Sequence, residues 1–94
     1  MIRSYRDKET EKIVAGEPSR KLPPDIQQTA RRKLRQLATV ARLDELRSPN
    51  GNRLEELKGD RKGTYSLRIN DQWRITFDWV DGDAAHVGIE DYHR

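Results

Sequence analysis

The apolar residues of this chain change their period at Pro49-Asn50-Gly51, and that change fixes the order in which the fold is built. Before it, Ile26, Ala30, Leu34, Leu37, Ala38 and Ala41 recur three and four residues apart, one stripe of a helix with its ~3.6-residue period. After it the spacing is two, the alternation of a half-buried strand. Tyr65, Leu67 and Ile69 form one such run, Trp73, Ile75, Phe77 and Trp79 a second, and Ala85, Val87 and Ile89 a third. Asn70-Asp71-Gln72 and Asp81-Gly82-Asp83 separate the runs at hairpin length, and Asp-Gly suits a type I′ turn. Helices first and a three-stranded meander after predict an α+β fold: N-terminal helices packed on one face of a small antiparallel sheet.

Shorter signals fill in the N-terminal half. Ile2-Arg3-Ser4-Tyr5 alternates as an edge strand would. Asp7 is placed to cap a helix over Lys8–Ala15, which Gly16 and Pro18 stop. Pro23-Pro24 closes the linker, with Pro24 suited to the first turn of the next helix and Asp25 favourable at its positive end. Leu43 and Leu46 extend the apolar stripe through a break. The 94 residues are expected to form a single domain, 1–94. No run reaches the ~20 apolar residues of a membrane span, and the N-terminus lacks a signal-peptide pattern, so a cytoplasmic protein is expected.

Charge is unevenly divided. Residues 1–50 hold twelve Lys/Arg against seven Asp/Glu, whereas residues 51–94 hold seven against nine. The excess is densest at Arg31, Arg32, Lys33 and Arg35 on the second helix. A basic face of this kind fits a polyanion met in one orientation. The solvated side of a charge-rich helix fits equally well at this point.

The strand region carries side chains that a packed core does not need. Arg74 lies between Trp73 and Ile75, so alternation turns it off the core; it either pairs with Asp78 or Glu90 or grips a phosphate with two prongs. Lys58, before Gly59, is a second cation, with Arg61, Lys62 and Arg68 nearby. Asp91, Tyr92 and His93 are all capable of proton transfer. With no cysteine there is neither disulfide nor thiolate metal site, and His86 and His93 lack zinc-like spacing. No Gly-rich phosphate loop or nucleophile elbow occurs, and no second helix follows residues 25–41 at helix-turn-helix spacing.

Three motifs then act together. Leu57-Lys58-Gly59-Asp60-Arg61, Asn70-Asp71-Gln72-Trp73-Arg74-Ile75-Thr76-Phe77 and Asp91-Tyr92-His93, in this order and with the opening Met1-Ile2-Arg3-Ser4-Tyr5-Arg6-Asp7-Lys8, resemble the HigB-type toxins of bacterial type II toxin–antitoxin modules, in the RelE/ParE superfamily. The resemblance covers nearly the whole chain. It implies an endoribonuclease that cuts mRNA in the A site of the 30S ribosomal subunit, without metal or cofactor, leaving a 2′,3′-cyclic phosphate and a 5′-hydroxyl. It implies a HigA-type helix-turn-helix antitoxin as partner, and operator DNA reached only through that antitoxin. It assigns catalysis to Lys58, Arg74, Asp91, Tyr92 and His93. Arg31, Arg32, Lys33, Arg35, Arg61, Lys62 and Arg68 are then expected to meet ribosomal or messenger RNA. Where some relatives have a histidine three residues before the lysine, this chain has Glu55. Two other functions fit the same residues: a ParE-like inhibitor of DNA gyrase, and a non-enzymatic RNA- or protein-binding module.

Overall fold

Asp7 opens the first helix in the computed structural model, which describes residues 1–92. Its carboxylate accepts from the backbone N–H of Thr10 at 2.8 Å and so satisfies one orphan donor of α1 (Lys8–Val14). Gly16, at φ 86°, ends the helix in the left-handed region. Pro24 takes the first position of α2 (Pro24–Thr39), where a missing N–H costs nothing. Two short 3-10 turns, Leu43–Arg47 and Asn50–Asn52, lead to the sheet.

The sheet has four strands rather than three. A two-residue edge strand, β1 (Glu55–Glu56), precedes β2 (Thr64–Arg68), β3 (Trp73–Val80) and β4 (Asp83–Asp91). They lie in sequence order, each antiparallel to the next. At the far edge the N-terminal segment runs parallel to β4 through isolated bridges from Ile2 to Ala84 and Tyr5 to Val87. Asp81 and Gly82, both at positive φ (51° and 82°), make the expected type I′ turn between β3 and β4.

The helices cover one face. Ile13, Ile26, Ala30, Leu34, Leu37 and Leu46 pack against Leu67, Ile75, Phe77 and Val87, all essentially inaccessible to water. Each of the Ile, Leu, Val and Phe side chains contributes about 1.5–3 kcal/mol by leaving water, and Phe77→Ala would cost about 3–5 kcal/mol.

The expected alternation on β4 is shifted. A bulge between Thr76 and Asp78 in the register leaves His86 at φ 52°. Ala84, not Ala85, therefore joins the core cluster alongside Val87 and Ile89.

The opposite face is not the open surface that alternation suggests. Ser66, Arg74 and Thr76 are 1%, 5% and 0% exposed there. Arg6 crosses it, and Gly88 makes room: a Cβ at that position would stand 3.2 Å from Arg6 Cβ. Arg61 covers its centre by binding Glu90. No helix among the described residues is long and apolar enough to cross a membrane.

Candidate active site

Arg74 is the middle of the site because three different segments converge on it. On β3 it stands opposite Arg68 of β2 and Glu90 of β4, on the polar face. Its Nη2 donates to the backbone carbonyl of Arg53 at 2.7 Å. Its Nη1 lies 3.2 Å from Oε1 of Glu55, which β1 brings to the same face through its pairing with Ser66. The guanidinium carbon lies 5.2 Å from the ring centroid of Tyr92, a cation–π contact. An arginine held this way keeps its planar fork in one orientation, which a lysine cannot do.

A cleft of roughly 310 Å³ opens over it, lined by Arg53, Glu55, Arg68, Asn70, Asp71, Arg74 and Tyr92. Three guanidinium groups face two carboxylates, so the cleft is net cationic. Asp71 binds Arg68 Nη2 and is thereby held below the usual carboxylate range. Tyr92 is fixed by its backbone as well as its ring, its N–H donating to the carbonyl of Gln72.

The other expected site residues fall in different places. Lys58 is exposed and lines a separate depression with Glu56, Leu57, Gly59 and Lys62. Leu57 is buried, and side chains of an extended segment alternate, so Lys58 and Glu55, three residues apart, face opposite ways. Asp91 pairs with Trp73 and accepts from Gln72 Nε2 at 3.0 Å, on the face opposite Arg74. His93 lies outside the described residues. Arg61 is committed to Glu90, at 3.0 and 2.6 Å, and Glu90 also accepts from Thr76 Oγ1 and Arg6. The hydrogen bonds from Arg61, first, and from Thr76 and Arg6 after them pull the Glu90 carboxyl down to about 2. Lys62 is exposed.

On α2, Arg32 and Arg35 are exposed and border a broad depression with Asp25 and Gln28. Arg31 turns back, its Nε donating to the Ile13 carbonyl at 2.9 Å, and ties the two helices together. Lys33 corrects the expectation of a continuous basic face. It is 7% exposed, and its ammonium donates to the carbonyls of Arg68 and Gly51. Burial, before the repulsion of Arg32, Arg68 and Arg74, lowers its pKa. It is a structural tie between α2 and the end of β2.

Sequence reasoning missed Arg53 altogether and left Glu55 without a role. Neither sits in a pattern that alternation or helical spacing marks. The only hint was the offset of Glu55 from Lys58.

Residues 3–93 match the family described as the RelE-like toxin of the type II toxin–antitoxin system HigB. Toxin HigB-1 of Vibrio cholerae serotype O1 is 36% identical over 91 residues, 96% of this chain and 96% of that protein. Endoribonuclease HigB of Proteus vulgaris is 31% identical over 93 residues, 99% of this chain and 100% of that one. Among solved structures, a YafQ mutant from E. coli superposes with a TM-score of 0.57 at 16% identity, covering 97% of this chain and 91% of its own. The YoeB dimer from Staphylococcus aureus gives 0.55 at 19% identity, covering 99% and 95%. At those identities the structural likeness speaks for the fold, two helices on a four-stranded antiparallel sheet. The sequence match spans nearly every residue that builds this fold and cleft, and the chain belongs to the HigB family of RelE-like toxins of type II toxin–antitoxin systems.

Proposed function

We propose that the chain is the toxin of a type II pair and acts as an endoribonuclease on mRNA at the ribosome. The observation that carries this reading is the match, across 99% of the chain, to a protein named Endoribonuclease HigB. The cationic cleft around Arg74 supplies a chemistry to go with it. Membership of a toxin–antitoxin family gives the chain an antitoxin as partner. A HigA-type antitoxin with a helix-turn-helix domain, action in the cytoplasm and the 30S A site as location belong to the same proposal.

In this reading the ribose 2′-oxygen attacks the adjacent phosphorus and the bond to the 5′-oxygen breaks, leaving a 2′,3′-cyclic phosphate and a 5′-hydroxyl. Negative charge grows on the non-bridging oxygens, where the two-pronged Arg74 guanidinium stabilises it. Glu55, half-exposed and 3.2 Å from Arg74, takes the 2′-hydroxyl proton. Tyr92 protonates the departing 5′-oxygen. Lys58, Lys62 and the exposed Arg32 and Arg35 contact flanking RNA backbone, giving affinity without base reading. The ribosome contributes by holding the mRNA in an attack geometry.

Mapping mRNA 5′ ends on translating ribosomes tests the reading. Wild-type protein should create new ends bearing 5′-hydroxyls, and Arg74→Lys should not. Growth arrest without new ends would point instead to a gyrase inhibitor, and no arrest at all to a passive binding module.

A further inference from the structure

Arg53 takes a backbone conformation that suits it poorly. It stands at φ 43°, ψ 59°, the left-handed region, where a Cβ crowds its own carbonyl and which glycine, then asparagine, occupies most readily. Gly51 and Asn52 come just before it, yet the arginine is the residue that adopts this geometry. Two consequences follow. The Arg53 carbonyl turns inward and accepts from Arg74, while its side chain remains exposed at the mouth of the cleft.

The cations of the cleft differ in what they already hold. Arg68 is bound to Asp71, and Arg74 to Glu55 and the Arg53 carbonyl. The Arg53 guanidinium, among the described residues, makes neither hydrogen bond nor ion pair, and its charge reaches Asp71 at longer range. An exposed cation at a rim can bind a phosphate without first giving up a protein partner. A strained arginine, where a neutral asparagine would relax the backbone, trades stability for that charge.

We infer that Arg53 is a substrate-binding residue: it receives an RNA backbone phosphate beside the scissile linkage and guides it toward Arg74. The inference rests on the ribonuclease reading and extends it to a residue that no motif of the chain marks.

The test compares wild type with Arg53→Asn, Arg53→Gly and Arg53→Lys, and with Arg20→Asn, which removes the same charge from an exposed loop outside the cleft. Cleavage is measured on mRNA-programmed ribosomes at several monovalent salt concentrations with magnesium fixed. Thermal unfolding is measured on the same preparations. Arg53→Asn should keep or raise the unfolding midpoint while raising KM about tenfold, more than it lowers kcat. Its dependence of log KM on log salt should be shallower by about 0.7, one phosphate contact on a single strand. Arg53→Lys should recover most of the KM, and Arg20→Asn should match wild type. An active wild type with Arg53→Asn unchanged in KM and salt slope overturns this inference alone. So does a midpoint that falls in both the Asn and Gly variants, because the arginine was then not strained for function. A wild type that cuts nothing sinks the ribonuclease reading beneath it.

Discussion

Arg61 and Glu90 meet through two parallel hydrogen bonds, Nη1 to Oε1 at 3.0 Å and Nη2 to Oε2 at 2.6 Å, directly beside Arg74. The pair pins the Gly59–Arg61 turn, and with it the loop carrying Lys58 and Lys62, to the middle of the sheet. Thr76 and Arg6 complete the arrangement, so one carboxylate joins the N-terminal segment, the loop, β3 and β4.

Glu90 therefore makes folding sensitive to acid. Its folded pKa is depressed to about 2 from an ordinary 4.5. The unfolded chain binds the proton more readily, so the stabilisation is complete above pH ~4.5 and is lost as the pH falls toward 2. The cluster is partly open to water, and after screening its worth is about 1–2 kcal/mol. Glu90→Gln should be less stable than wild type by that amount at pH 6, with the gap narrowed to about half at pH 3 and closing only toward pH 2. Urea unfolding of both proteins at the two pH values checks it.

Arg74 has a structural duty as well as a chemical one. It is 5% exposed and holds the Arg53 carbonyl and Glu55 in place. Arg74→Ala should thus destabilise by about 1–3 kcal/mol, the cost of stranding buried partners. Pure surface arginines cost far less. Arg74→Lys keeps the charge and most of the fold but loses the planar fork, so cleavage should fall at least ~10²-fold at nearly unchanged stability. Denaturant midpoints beside single-turnover cleavage separate the two effects.

The period change at Pro49-Asn50-Gly51 was sufficient to read two helices followed by an antiparallel meander, because burial enforces those periods. Local chemistry was legible too: the Asp7 cap and the Asp81-Gly82 turn need only near neighbours. What escaped depends on contacts between distant segments. Strand β1 is Glu55-Glu56, too short and too charged to signal a strand, and only its partner β2 makes it one. The bulge at His86 shifts the phase of β4 without any glycine to announce it. The polar face of the sheet reads as solvent-facing, yet Arg6, Arg61 and the Arg53–Glu55 segment fold over it. Arg74 was correctly turned off the core, but its burial came from chain that alternation knows nothing about. Lys33 could have been found: it lies three residues after Ala30 and four before Leu37, on the apolar stripe itself.

That position separates Lys33 from its basic neighbours. Lys33→Met removes an ammonium that already donates to two carbonyls, so it should cost stability, about 1 kcal/mol, while leaving the salt dependence of RNA engagement unchanged. Arg32→Gln and Arg35→Gln remove exposed charges and should behave oppositely. Each should make the salt dependence shallower with stability held within ~0.5 kcal/mol. Cleavage on programmed ribosomes across salt, paired with urea unfolding, tests all three. A flattened salt slope in Lys33→Met would contradict its role as a tie.

Glu55 is the residue whose removal discriminates most among mechanisms. It pairs with the Arg74 guanidinium at 3.2 Å and lines the same cleft, so two roles compete for it: a placeholder for a phosphate, or the base. Its carboxylate is half-exposed, stands on the same face as Arg74 and faces the cleft, all of which suits proton transfer from a ribose hydroxyl. A placeholder would compete with substrate, and its loss would lower KM and leave kcat intact. A base acts only in the transition state, and its loss lowers kcat by roughly 10²–10⁴-fold. Glu55→Gln keeps the size and a carbonyl oxygen beside Arg74, whose hydrogen bond to the Arg53 carbonyl is untouched, so the cleft should stay assembled. Single-turnover cleavage should show kcat falling by that factor with KM changed less than ~3-fold. A lowered KM with kcat preserved would instead assign the carboxylate to holding Arg74 until RNA arrives.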